Sequence, residues 1–343
     1  MLDTATKSFF SEGLRAIMGS CFSPLLSGSA EGEASYQEGE ESRVVWTACY
    51  NHPKLGTSAF TMSSEIDYSP KRDDLYSPGK NARFFDGGPP RSEAMLCAEM
   101  ARLVYCRSAS TFAFDEERIG AVLKCVGFTN YQFFETGSTH CLLAQGVEGL
   151  GVIAFRGTDV NDPTDLGDDA DLLLSPWKQG GKVHQGFANA FTEVRVDVQN
   201  ALRRITDRVL FTGHSLGAAM ATLLASVRKP DSLYTFGSPK VGDADFVASL
   251  KAVPNQRYVD CCDLVARMPP DVFGFAHLGN AHYIDSNRRV TFNPNAEMVD
   301  IDQITAREKY LVEYAWKDGN VAVRDLADHA PINYVLPLSA EQS

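Results

Sequence analysis

The chain has 343 residues, 44% of them hydrophobic and 22% charged, with a formal net charge of −12. That balance fits a folded domain and excludes a nucleic-acid partner, because phosphate binding needs a basic patch. It also disfavours electrostatic docking on anionic membranes, and no apolar run reaches the roughly 20 residues of a bilayer span.

In chain order, the first segment, KSFFSEGLRAIMGSCFSPLL, is mildly apolar, but Glu12 and Arg15 interrupt the apolar core that a signal peptide needs. The eight cysteines follow no CxxC or zinc-like spacing and read as reduced, mostly buried thiols, with no redox role expected for the adjacent Cys261 and Cys262. A cytoplasmic location is therefore expected. Export or lipid anchoring through the N-terminal segment, at Cys21 in MGSC, is the alternative. Residues 27–42 are acidic and rich in Gly and Ser, and 51–92 are dense in Pro, Gly, Ser and Asp. Residues 1–92 thus read as an irregular N-terminal extension, and 93–343 as the folded domain.

SEAMLCAEMARLVYC carries apolar residues at helical spacing from Met95, and a short helix is expected over 116–125. The apolar run Val152 to Phe155 predicts a buried strand. Phe187, Phe191, Val194, Val198, Leu202 and Ile205 line one face of an amphipathic helix. RVLFTG is a second buried strand, and the small-residue run 216–228, stopped by Pro230, is a helix. SLYTFG and RYVD read as further strands. Alternating strands and helices imply an α/β fold with a mostly parallel central sheet and helices on both faces.

Between the second strand and its helix stands Gly213-His214-Ser215-Leu216-Gly217, a GxSxG. A strand–turn–helix context with glycines at both ends is what a nucleophile elbow requires. A nucleophilic serine needs a base, and the base an orienting carboxylate, in the order Ser, acid, His for this fold class. Three histidines follow Ser215 with room for an acid between: His277, His282 and His329. His329, in a loop before Pro331, is best placed to reach the strand ends. The acid is Asp260 or Asp263, and strand alternation alone does not choose between them. Two amide donors should face the oxyanion: Leu216, after the nucleophile, and Thr158, after Gly157 in AFRGT. Arg156 reads as a structural ion-pair partner.

With GVIAFRGT, KVHQGF, FTGHSLGAAMATLLA, LYTFGSPKVGDADF, DLVARMPP, FGFAHLG and DHAPINY in this order, the chain resembles the class 3 (fungal-lipase-like) lipases of the α/β-hydrolase superfamily over roughly residues 93–336. The resemblance implies Ser215, Asp263 and His329 as the catalytic residues, and Thr158 and Leu216 as the oxyanion hole. It implies no cofactor and no metal. The expected activity is carboxylic ester hydrolysis, on a small-molecule or lipid ester with transient lipid-interface contact; phospholipase A1, acyltransferase and a silent binding scaffold are the alternatives. The chain departs from the family at the lid. DVNDPTDLGDDADLLLSPW holds six aspartates between residues 159 and 171, with Pro163 and Gly167. An amphipathic lid helix is disfavoured there, and an esterase-like preference for short or medium acyl chains is expected.

Overall fold

In the computed structural model, the described residues are 49–52, 56–59 and 68–340, apart from 81, 87, 109–112, 138, 158–172 and 206. The chain divides into two units, Met1–Ile66 and Asp67–Ser343. Within the first, Cys49–His52 pairs antiparallel with Gly56–Ala59.

The second unit is built on an eight-stranded sheet. Its strands are β1 (Phe128–Thr136), β2 (Thr139–Gly146), β3 (Gly151–Phe155), β4 (Val209–His214), β5 (Ser232–Phe236), β6 (Asn255–Asp260), β7 (Ala281–Ile284) and β8 (Val290–Phe292). They lie side by side in chain order. The pairs from β3 to β7 are all parallel. Those joining β1 to β2, β2 to β3, and β7 to β8 are antiparallel. A small second sheet joins Leu174–Pro176, Lys182–His184, Gly242–Asp243 and Phe275–Ala276.

Burial on both faces explains why β3 is apolar throughout and β4 from Val209 to Phe211. Val152 and Ala154 of β3 and Leu210 of β4 face the helix α1 (Glu93–Leu103), with its buried Met95, Leu96, Met100 and Leu103. Ile153, Phe155 and Phe211 face the other way. They meet Phe191, Val194 and Val198 of α3 (Gln185–Leu202) and Met220, Leu223 and Leu224 of α4 (Leu216–Val227). Between α1 and α3 in the chain lies α2 (Glu116–Cys125). A strand buried on both faces favours apolar runs, and the buried Thr212 of β4 is accommodated because its hydroxyl donates to the Cys97 carbonyl at 3.1 Å. Each fully buried Leu, Ile or Phe contributes about 1.5–3 kcal/mol relative to exposure.

Helix starts follow capping chemistry. The Ser92 hydroxyl accepts the Met95 N–H, and the Asp115 carboxylate accepts the Arg118 N–H. Two further helices, α5 (Ala296–Glu313) and α6 (Pro331–Ala340), follow the sheet. Pro331 opens α6 at the position where proline's missing N–H costs nothing. Arg156 is buried, with its guanidinium 5.3 Å from the centre of the Phe114 ring.

Candidate active site

β4 ends at His214 and α4 begins at Leu216, so a single residue makes the turn. That residue is Ser215, with φ 59° and ψ −131°, a positive φ that a non-glycine residue adopts only under constraint. The constraint is backbone pairing: the Ser215 N–H donates to the Phe236 carbonyl at 3.0 Å, and its own carbonyl accepts from Ala218 at 3.0 Å. The flanking glycines are steric necessities. A Cβ on Gly213 would lie 2.2 Å from the Gly217 carbonyl oxygen, and one on Gly217 would lie 2.2 Å from that of Phe155.

Three side chains expected to act together converge here. His329 Nε2 is 2.9 Å from Ser215 Oγ. On the other side of the ring, Nδ1 lies 2.8 and 3.0 Å from the two oxygens of Asp263. His329 stands just before α6, and Asp263 in the loop after β6. All three side chains are buried. Asp263 Oδ1 also accepts the Val265 N–H at 2.8 Å, and Oδ2 accepts the Tyr334 hydroxyl. Burial alone would raise the Asp263 pKa. The charge of His329 and the hydrogen bonds from His329 and Tyr334 outweigh it, holding the carboxylate below its usual range. Space for this cluster is left by Gly237, at φ +56°, where a Cβ would stand 2.7 Å from Asp263 Oδ2.

A second layer, unforeseen from sequence, fixes the imidazole from behind. His214 Nε2 is 2.9 Å from the His329 carbonyl, which can only accept, so Nε2 carries the proton. Its Nδ1 is then the acceptor for the Tyr105 hydroxyl, 2.9 Å away. Burial, followed by the charge of His329, pushes the His214 pKa well below its usual value, so this ring stays neutral. The Tyr334 hydroxyl, besides donating to Asp263, accepts the Asp260 N–H at 3.1 Å. The only sequence signals for this layer were the position of His214 beside the elbow serine and that of Tyr334 at the end of DHAPINY.

The other candidates stand apart from Ser215. Asp260 pairs with Arg288 Nη1, at 2.8 and 2.9 Å. The His277 ring bonds to the backbone of Ala266, and burial lowers its pKa well below the usual value. The His282 ring stacks on Tyr258 with centroids 4.8 Å apart. Of the expected oxyanion donors, Leu216 opens α4, so its N–H belongs to the first turn, which lacks intrahelical acceptors. Thr158 lies outside the described residues, as does the aspartate-rich segment up to 172. Gly157 does border the site: a Cβ there would stand 3.2 Å from Ser215 Cβ and 2.1 Å from the Tyr105 hydroxyl.

Comparisons with known proteins agree with the motifs. The family model Lipase (class 3) matches residues 152–273. A lipase of Rhizomucor miehei is 36% identical over 237 residues, covering 60% of this chain and 63% of that protein. A secreted mono- and diacylglycerol lipase of Fusarium solani is 36% identical over 118 residues, covering 31% and 35%. Lipase II of Rhizopus niveus, a solved structure, matches at a TM-score of 0.49 and 28% identity, over 59% of this chain and 84% of that one. The chain thus spans about a third of the length of the Fusarium relative and just under two thirds of the Rhizomucor one. These relatives also correct one expectation. A cytoplasmic location is overturned by the Fusarium protein, which is named as secreted. The physical reason is that unpaired thiols were a poor guide to compartment: a chain of this size has core enough to fold without disulfides in either setting.

Proposed function

We propose that the chain, whose residues 152–273 match the class 3 lipase family, is a serine hydrolase of carboxylic esters, acting on acyl glycerols or similar short- to medium-chain acyl esters. The observation that carries this reading is the unbroken chain from Ser215 Oγ through the His329 ring to Asp263, at 2.9 and 2.8 Å. The named mono- and diacylglycerol substrates of the Fusarium relative support a glycerol ester, and its secretion supports export.

Each step draws on this arrangement. His329 Nε2 takes the Ser215 proton as Oγ attacks the ester carbonyl. Asp263, held anionic, keeps the proton on Nδ1 and stabilises the imidazolium. The N–H of Leu216 receives the oxyanion, with Thr158 as the second donor; losing one such donor costs about 3 kcal/mol in the barrier. His329 then protonates the leaving alcohol, and water, deprotonated by the same nitrogen, cleaves the acyl-enzyme. The six aspartates between residues 159 and 171 support an esterase-like preference, because they give an apolar lid little surface.

The test is a p-nitrophenyl ester series from butyrate to palmitate, on the parent and on Ser215→Ala. The parent should favour the shorter esters, with no jump in rate where substrate passes its solubility limit. Ser215→Ala should lose on the order of 10⁴-fold or more in kcat. Equal hydrolysis by the two proteins would sink the assignment.

A further inference from the structure

We propose that Cys261, Cys262 and Asp328, with Asp302 beside the Cys261 sulfur, form a site for one thiophilic divalent cation, Zn²⁺ or its surrogate Cd²⁺, whose binding slows ester hydrolysis. The effect on hydrolysis rests on the function proposed above; the binding does not.

Cysteine spacing gives no zinc pattern in this sequence, but the fold brings donors from two distant segments together. The sulfurs of Cys261 and Cys262 lie 3.6 Å apart. Two thiolates on one tetrahedral zinc, with bonds of about 2.3 Å, sit about 3.8 Å apart. A carboxylate oxygen of Asp328 lies within 4.8 Å of both sulfurs. Asp302 Oδ2, contributed by α5, is 3.2 Å from the Cys261 sulfur. Two sulfurs and a carboxylate oxygen are a donor set that borderline-soft cations favour over Mg²⁺ or Ca²⁺. Cys261, Cys262 and Asp328 are buried, which keeps competing water from the donors.

Cys262 immediately precedes Asp263, and Asp328 immediately precedes His329. The two segments are tied directly: the Cys262 N–H donates to Asp328 Oδ2 at 2.9 Å. The same carboxylate accepts from Arg324 Nε at 3.0 Å and, through Oδ1, from the Tyr68 hydroxyl at 2.8 Å. A cation drawing on Asp328 competes with these donors and shifts the segments that carry the acid and the base. Binding releases one proton from each thiol to solvent while two sulfur–metal bonds form.

The experiment uses the full chain, reduced and freed of metal by EDTA, with Cys125→Ser in every protein to remove an exposed thiol. CdCl₂ is titrated while the ultraviolet thiolate-to-cadmium band and ester hydrolysis are followed. The expected result is a band saturating with kcat lowered about 10- to 100-fold at unchanged KM, the loss expected of displaced reacting groups. EDTA should reverse it. Cys261→Ser should lose most of the band and the inhibition, and Asp302→Asn should bind Cd²⁺ about 10-fold more weakly. The second variant serves if the first does not fold. No band in the parent, or the same band and inhibition in the variants, would overturn the site. A band without loss of rate would overturn its effect on hydrolysis. A band in a protein that hydrolyses no ester would overturn the proposed function and leave the cation site standing.

Discussion

A serine at φ 59° stores about 1–3 kcal/mol of backbone strain, which the pairing of its N–H with Phe236 holds in place. The return is a hydroxyl presented to the His329 ring without a rearrangement. Tyr334 belongs beside the three expected residues, because its hydroxyl joins Asp263 to the Asp260 amide. Tyr334→Phe should lower kcat about tenfold with little change in KM, the cost of one hydrogen bond to a buried charge; steady-state kinetics on a soluble ester would show it. Acid stability gives a second test. Burial lowers the pKa of His214, and also of His184, His277 and His282. Above about pH 6.5 these rings are neutral in both folded and unfolded chains, so they cost nothing. Below it the unfolded chain binds protons that the folded chain refuses, and stability falls with pH. The depressed pKa of Asp263 adds a further loss only at lower pH, below its ordinary value of 3.8. Thermal melts should therefore decline from about pH 6.5 downward; an onset only near pH 4 would contradict the neutral buried rings. Ser215 and His329 were legible in sequence because few residue types perform this chemistry and their order is constrained, whereas the choice of Asp263 over Asp260 came from the family resemblance. Tyr105 and His214 were not, since their roles depend on a contact between residues 109 positions apart.

Elements were legible where burial is one-sided or complete. The apolar run of β3 and the stripe of α3 identified themselves; five of the six stripe residues lie in α3, which ends at Leu202, before Ile205. The β1–β2 hairpin went unseen because β1 buries only Phe128 and Phe134, an edge strand with a broken alternation. In α5 the signal is inverted: Ala306 and Tyr310 are its buried residues, while Ile301, Ile304, Leu311 and Val312 are exposed. A helix with apolar residues on its outer face has no clean amphipathic stripe to read. Packing of α4 on β3 makes the sharpest prediction at this scale. The Gly217→Ala methyl would meet the Phe155 carbonyl oxygen at 2.2 Å, against backbone with no flexible side chain to yield. The helix must lift from the sheet, a cost of about 1–3 kcal/mol. Urea denaturation should show the lower midpoint, and a midpoint equal to the parent's would show that the elbow tolerates the group.

At the scale of the molecule, every described residue of the candidate site belongs to the unit Asp67–Ser343. A chain starting at Asp67 should therefore melt cooperatively and keep hydrolysing p-nitrophenyl butyrate; calorimetry and the ester assay check both. Loss of the cooperative melt would mean that the second unit does not fold alone. The mostly parallel sheet was legible from the alternation of strands and helices, and its strands follow one another across the sheet in the order they occur in the chain. Neighbouring strands can thus pair soon after they are made, from one edge toward the other. The hydroxyl and its imidazole escape that rule, standing 114 residues apart. At ribosomal speeds of about 5–20 residues per second, the serine waits on the order of ten seconds for its base to be synthesised. Throughout that interval the nascent chain holds an elbow without its proton acceptor, so the proposed hydrolysis waits until translation has passed residue 329.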